Sequence, residues 1–252
     1  MDTGSLAGKR VLVTGAGTGI GAATARMFGA AGAYVGVHYR QAHKAAQEVA
    51  TFIREAGGQA HLIAGDLQDR TVRETLVRDF VAIYGGVDVL VNNAGACYEY
   101  AHFTELDEDS WDLTMALNAK APFFLSRHAF LDMKSRCDGR IVNISSVSQK
   151  YGGPSSLHYC ASKAALDALT IGFAREGAQY NILVNSIRCG LIDTGMHRLI
   201  DGYSDEQFQR RMEKVPLKRA GSPDDVARMT LFLAGESGNF ITGEVFTVAG
   251  GD

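Results

Sequence analysis

Tyr159-Cys-Ala-Ser-Lys163 sets a phenol and an ammonium four residues apart, with Ser146 upstream and Asn118 further back. In a helix, residues four apart lie one above the other on the same face, so the Tyr159 hydroxyl and the Lys163 ammonium can approach one reacting atom. A tyrosine ordinarily titrates near about 10 and is a poor proton donor and acceptor at neutral pH. An adjacent cation favours the phenolate and is expected to lower the Tyr159 pKa toward the range of a general acid/base. The Ser146 hydroxyl would then hydrogen-bond a substrate oxygen, where negative charge develops as a carbonyl accepts hydride. Tyr-x-x-x-Lys pairs recur by chance on helix surfaces, so the elements around this one must carry the assignment.

The first of those elements is glycine-rich. Arg10-Val-Leu-Val-Thr14 reads as a short buried strand, Gly15-Ala-Gly17-Thr18-Gly19-Ile20-Gly21 follows, and an alanine-rich helical stretch begins at Ala22. Strand, glycine turn and helix in that order make a pyrophosphate site, because no side chains block the backbone and the helix N-terminus presents unpaired N–H groups. The spacing is not the usual GxGxxG, since Ile20 stands three after Gly17, and no Gly-Lys-Ser/Thr follows to make a P-loop. The second strand ends His38-Tyr39-Arg40, and no acid occurs from Ala22 through Gln47. An acid there would hydrogen-bond the ribose 2′-hydroxyl of NAD. Its absence, with a guanidinium able to meet phosphate oxygens, favours NADP(H) and leaves NAD(H) possible.

The spacing Thr14-Gly15-x-x-x-Gly19-Ile20-Gly21 resembles that of the short-chain dehydrogenase/reductase family, and the resemblance extends along the chain. Asn92-Asn93-Ala94-Gly95, Asn118, the run Arg140-Ile-Val-Asn-Ile-Ser-Ser146, Tyr159 with Lys163, Ile241-Thr242-Gly243 and Val248-Ala-Gly-Gly251 match its ordered motifs. The resemblance implies catalytic roles for Asn118, which helps organise a proton-relay water, and for Ser146, Tyr159 and Lys163. Ser146 rather than Ser145 has the family's distance to the tyrosine. It also implies cofactor contacts from Thr14, Gly15, Thr18, Gly19, Ile20 and Gly21. Tyr39, Arg40, Asp66 and Leu67 would border the adenosine. Asn92, Ala94 and Gly95 would follow, and Gly190, Ile192 and Thr194 would receive the nicotinamide, with Tyr159 and Lys163 beside it. Two departures stand out. Many NADP-using relatives carry a basic residue where Thr18 stands, and Cys189 replaces the usual proline before Gly190. Cysteine neither fixes φ nor removes an N–H; it is either a small residue in a tolerant turn or a reactive thiol near the cofactor.

The chain has 252 residues, 46% hydrophobic, enough for the core of one α/β domain. A formal net charge of −3 suggests neither nucleic acid nor an anionic membrane as a partner. The four cysteines form neither a disulfide framework nor a zinc pattern, and the seven histidines include no His-x-x-x-His, so no metal is expected. No apolar run approaches the ~20 residues of a membrane helix, and Met1-Asp-Thr-Gly-Ser-Leu6 has no secretory pattern, so a cytoplasmic setting is the default.

Short apolar strands alternating with helical stretches predict a single-domain, doubly wound Rossmann-type parallel sheet over 1–252, with helices on both faces. Strands are expected at 10–14, 34–39, 59–65, 87–92, 139–144, 182–188 and 244–248. Helices are expected at 19–31, 42–56, 70–84, 108–135, 157–179 and 223–234, the last opened by Ser222-Pro223-Asp224-Asp225. A stretch at about 190–221 reads as an insert that covers the substrate, and Ser204-Asp-Glu-Gln207 in it has capping-box form.

Cys97, Tyr98 and Glu99, Gln149 to Leu157, and Met196 to Phe208 are expected to border the substrate, without selecting one. Glu99 is either a partner for a polar substrate or a solvated carboxylate. His158 is expected at the surface or an interface, because adjacent helix residues point apart. Lys218-Arg219 reads as a solvated face rather than a dock for an acidic carrier protein. The expected function is an NADP(H)-dependent oxidoreductase interconverting a secondary alcohol and a ketone. The alternatives are a 3-oxoacyl-carrier-protein reductase and, from another class, a dinucleotide-sensing module without turnover, which need not keep Ser146, Tyr159 and Lys163 together. The resemblance implies a homotetramer with the helices 108–135 and 157–179 at an interface; sequence leaves a dimer open.

Overall fold

Among the described residues, runs of Val, Leu and Ile between glycine-rich and polar punctuation form seven strands. They are β1 (Arg10–Val13), β2 (Tyr34–Tyr39), β3 (Gln59–Ala64), β4 (Val89–Asn92), β5 (Gly139–Ser146), β6 (Ile182–Cys189) and β7 (Val245–Val248). The computed structural model describes residues 6–153, 155–200 and 202–252. All strands pair in parallel, in the order β3-β2-β1-β4-β5-β6-β7. The order reverses between β1 and β4, where open sheets of this kind leave a crevice beyond the carboxyl ends of their strands.

Helices α1 (Gly19–Ala30), α2 (His43–Glu55) and α9 (Pro223–Ala234) cover one face. The other is covered by α3 (Arg70–Tyr84), α5 (Ala121–Arg136), which continues α4 (Glu108–Met115), and α7 (Leu157–Gly177). Burial on both faces explains why the strands read as apolar runs rather than alternations. In β1, Val11 and Val13 enter one core and Leu12 the other; in β4, Val89 and Val91 oppose Leu90. Each such side chain, fully buried, contributes about 1.5–3 kcal/mol. The two expected helix starts form as capping boxes, Ser222 with Asp225 and Ser204 with Gln207, the latter opening α8 (Asp205–Lys214).

Three differences from the sequence expectation matter for the site. First, β5 runs on to Ser146 and β6 to Cys189, because these two residues pair in register; the candidate serine is held in a ladder rather than a loop. Second, the helix expected over 108–135 is interrupted by a π-helical turn, Ala116–Lys120. Pro122 explains the break: it lacks an N–H, and its ring would clash with the carbonyl four residues back, that of Asn118. Third, a short helix, α6 (Ser148–Tyr151), follows the serine strand. Of the stretches expected to border the substrate, Pro154, Asp201 and the Arg198 side chain lie outside the described residues, as do residues 1–5. Among the described residues, no helix is long and apolar enough to cross a membrane, and no group of three or more His, Cys, Asp or Glu is placed to hold a metal.

Candidate active site

The glycine turn after β1 is built for close approach. Gly15 and Gly19 take φ of 63° and 53°, the left-handed region that favours glycine. A Cβ on Gly21 would stand 2.2 Å from the Gly15 carbonyl oxygen, and one on Gly19 would stand 3.1 Å from Thr194 Cβ. From the far side, Asn93 Nδ2 donates to the carbonyls of Thr14 (2.9 Å) and Gly15 (3.1 Å), while Thr14 Oγ1 accepts from the amides of Asn93 and Ala94 at 3.0 Å. Thr18 caps α1 with no side-chain bond, and the first turn carries no acid. The α1 N-terminus therefore faces the cradle ready for an anion, and these residues fit the pyrophosphate of a dinucleotide. Asn93 is the clamp that the sequence reading passed over, although it stands inside the quoted motif. Asn92, expected among the cofactor contacts, turns its side chain inward to Ser126 and Asn143 at 2.9 and 2.8 Å, so only its backbone borders the cradle.

The π-helical turn delivers Asn118 to the loop after β4. Its amide accepts from the Ala96 N–H at 3.0 Å and donates to the Ala96 carbonyl at 2.8 Å and to Ser162 Oγ at 3.0 Å. A Cβ on Gly95 would come within 3.0 Å of Asn118 Oδ1 and 3.2 Å of Lys163 Nζ, so Asn118, Gly95 and Lys163 converge on one spot.

Ser146, Tyr159 and Lys163 meet beside it, at the end of β5 and the first turns of α7. Ser146 Oγ accepts from the Ser148 amide at 3.1 Å and lies on the side of the Tyr159 hydroxyl. Lys163 Nζ donates to the Ile144 carbonyl at 2.8 Å and lies 5.7 Å from the Tyr159 ring centre. The expected lowering of the Tyr159 pKa by Lys163 does not occur in this arrangement. Burial, with the thiols of Cys189 and Cys97, pushes the phenol above its ordinary value, and the nearby Ser146 hydroxyl only partly opposes that. Burial also lowers the Lys163 ammonium to about 8, against the pull of Cys189 and Asp167. Behind Lys163, Asp167 accepts from Ser186 Oγ at 2.7 Å, from Arg188 Nε at 2.8 Å and from Gln149 Nε2. Cys189 is buried and its thiol is pushed up to about 12, so it stays protonated and the reactive-thiol alternative falls.

Beside the carboxyl end of β2, Arg40 Nη1 stands 3.8 Å from Asp66 Oδ2, both partly exposed. The Tyr39 hydroxyl bonds His43 Nδ1 at 2.8 Å, and Leu67 is buried. Tyr98, expected at the substrate, turns its hydroxyl toward Gln68, accepting from Nε2 at 2.9 Å, with Arg40 and Asp66 nearby. His158 is also corrected: it is fully buried rather than at the surface, with Nε2 4.0 Å from Cys97 Sγ. The loop after β4 covers it through Cys97. Lys218 and Arg219 are exposed, as read.

The insert folds back on its own start. Gly221 pairs with Ile192, and the Asp193 amide donates to the Gly221 carbonyl at 2.9 Å. Its 3₁₀ turn, Met196–Leu199, stacks His197 on Phe208, while Tyr203 meets Tyr100 edge-on at 5.0 Å. Gly190 must be small: a Cβ there would meet Ala249 Cβ at 2.6 Å.

Fold and site thus describe an oxidoreductase built on a dinucleotide cradle, and comparison with known proteins agrees. The profile of the family described as enoyl-(acyl carrier protein) reductase matches residues 15–252. An uncharacterized oxidoreductase of Thermotoga maritima is 37% identical over 247 residues, covering 97% of each chain. The 3-oxoacyl-(acyl-carrier-protein) reductase of the same organism is 34% identical, covering 98% of each. The crystal structure of a dehydrogenase/reductase from Sinorhizobium meliloti 1021 superposes with a TM-score of 0.89 at 37% identity, over 99% of this chain and 97% of that one. The chain belongs to the short-chain dehydrogenase/reductase family, oxidoreductases that work with NAD(P)(H).

Proposed function

We propose that the protein is an NADP(H)-dependent oxidoreductase that interconverts a secondary alcohol and a ketone, with Tyr159 as general acid/base. The observation that carries this reading is the convergence of Ser146, Tyr159, Lys163 and Asn118 beside the glycine cradle. The bound nicotinamide dinucleotide supplies or takes up the hydride. Thr14, Gly15, Thr18, Gly19, Ile20 and Gly21 hold its pyrophosphate side. Tyr39, Arg40, Asp66 and Leu67 hold the adenosine; the backbone at Asn92, Ala94 and Gly95 lines the middle. Gly190, Ile192 and Thr194 receive the nicotinamide, with Lys163 at its ribose. Ser146 Oγ donates to the substrate oxygen, Tyr159 transfers the proton at that oxygen, and Lys163 stabilises the phenolate left behind. Asn118 supports a water relay from Lys163 outward. The insert at 190–221 covers the substrate. A 3-oxoacyl thioester is the second reading, favoured by the 34% identical Thermotoga maritima reductase. A cytoplasmic homotetramer assembled through α4–α5 and α7 completes the proposal, supported by exposed Trp111, Phe123 and Ile171 on those helices.

Arg40 tests the cofactor preference. Its pairing with Asp66 is loose and solvent-screened, which leaves the guanidinium available to a 2′-phosphate. Hydrogen bonds to charged groups contribute roughly 1.5–3 kcal/mol, about ten- to a hundredfold in affinity. Fluorescence titration of Arg40→Ala should show NADPH weakened by that order and NADH barely changed. Equal loss for both, or a wild type that prefers NADH, contradicts the preference.

Lys163 sets a pH dependence. With its ammonium lowered to about 8, carbonyl reduction should decline as pH rises through that value, because the neutral amine no longer supports the phenolate. A pH–rate profile at saturating NADPH checks this. Lys163→Met should be slow throughout and lack that limb; a wild-type profile flat across the same value contradicts the role.

A further inference from the structure

His38 lies at the carboxyl end of β2, is 2% exposed, and has no part in the chemistry above. Both of its ring nitrogens are engaged. The Gly15 amide donates to Nδ1 at 3.1 Å, and Nε2 stands 3.1 Å from the Gly65 carbonyl oxygen. An amide only donates and a carbonyl only accepts, so the ring is neutral with its proton on Nε2. Burial supports that state by holding the imidazole well below its ordinary range, at about 4, against the weaker opposing pull of the Gly65 carbonyl and Asp66. The His38 carbonyl accepts from the Ala16 amide at 2.7 Å, so two consecutive amides of the glycine turn end on this one residue. On its other side, Gly65 leads directly into Asp66, and the Asp66 carboxylate caps its own turn through the Gln68 amide at 2.9 Å.

A glycine turn has no side chains to fix it, and glycine gives up more conformational freedom on ordering than any other residue. Something else must hold Gly15 at its positive φ. Asn93 does so from the carbonyl side and His38 from the amide side. An aliphatic side chain at 38 would strand a buried donor at Gly15 and a buried acceptor at Gly65 together.

We propose that His38 is a positioning residue for the dinucleotide, its neutral ring tying the glycine turn at Gly15 to the turn at Gly65-Asp66 so that the pyrophosphate and adenine ends of the cradle keep one register. The proposal rests on the dinucleotide reading given above. It acts on the part of the cradle common to both cofactors, so NADPH and NADH should respond alike, unlike at Arg40. It also acts on binding rather than on proton transfer.

The test measures cofactor dissociation constants by fluorescence titration, thermal midpoints, and kcat at saturating cofactor for wild type, His38→Leu, His38→Asn and His38→Gln. Leucine removes both bonds. Asparagine sets an amide oxygen about where Nδ1 stands and keeps the Gly15 bond; glutamine reaches Gly65 but lacks the Gly15 acceptor. The Leu variant should bind NADPH and NADH about tenfold more weakly, with kcat within about twofold of wild type. The Asn variant should recover to within about threefold of wild type and bind more tightly than the Gln variant. A folded Leu variant with unchanged affinity for both cofactors overturns the proposal, as does an Asn variant no tighter than the Gln variant. Should the Leu variant fail to fold, the Asn–Gln comparison decides. A wild type that binds neither cofactor overturns the dinucleotide reading and this proposal with it; a wild type that binds, with indifferent His38 variants, overturns this proposal alone.

Discussion

Tyr159→Phe should lose most turnover, by about 10²–10⁴-fold, the usual worth of general acid/base catalysis, while binding NADPH almost as well as the wild type. The substitution removes one oxygen and leaves the ring in its slot at the start of α7 between β5 and the loop after β4. What disappears is the hydroxyl beside Ser146 that the proposed mechanism makes the proton donor to the substrate oxygen. Burial keeps the phenol protonated, which suits it to act as the acid in carbonyl reduction. Steady-state rates at saturating NADPH, set beside a fluorescence titration of the same variant, separate the two quantities. A variant that kept more than about half the wild-type rate, with chemistry limiting, would contradict the assignment.

Gly21→Ala should have the second large effect, on binding rather than chemistry. Its new methyl group would stand 2.2 Å from the Gly15 carbonyl oxygen and 2.5 Å from Asn93 Nδ2. Backbone cannot yield as a flexible side chain can, so the Gly15 peptide must turn and the Asn93 clamp must open. Overpacking of this kind costs about 1–3 kcal/mol, equivalent to about fivefold to over a hundredfold in cofactor affinity. The same strain should lower the thermal midpoint by about 2–4 °C for each kcal/mol in a chain of this size. NADPH titration and a melting curve check both; an alanine variant that binds like wild type would remove the glycine turn from the cofactor site.

The fold was legible because its signals are local and repeated. Apolar runs such as Val11 to Val13 and Val89 to Val91 are too short for helices and too continuous for a half-exposed sheet, so a doubly covered parallel sheet was the consistent reading. The helix starts at Ser204 and Ser222 were legible for the same reason, since a capping box needs only four residues. The candidate site was readable as far as motif order could carry it.

What escaped depends on residues distant in sequence. Tyr98 stands beside Cys97, yet it faces Gln68, because alternate residues of an extended loop point to opposite sides. From its own helix alone, His158 suggests solvent because it neighbours Tyr159; the distant loop after β4, which sets Cys97 against it, makes that side interior. The π-helical turn at Ala116–Lys120 had a local cause in Pro122, but a proline within an apolar helical stretch is also compatible with a simple kink. The partly buried network of Gln149, Asp167 and Arg188 joins three elements and leaves no trace in any one of them.

The most direct measurement is nicotinamide absorbance with the wild-type protein, NADPH and a panel of ketones that includes a 3-oxoacyl thioester, alongside NADP⁺ and the matching secondary alcohols. The account predicts that NADPH is oxidised by at least one ketone and that the corresponding alcohol reduces NADP⁺. NADPH that binds, by fluorescence, yet is consumed with no carbonyl in the panel and regenerated with no alcohol would contradict it, and would leave a dinucleotide-binding module in its place.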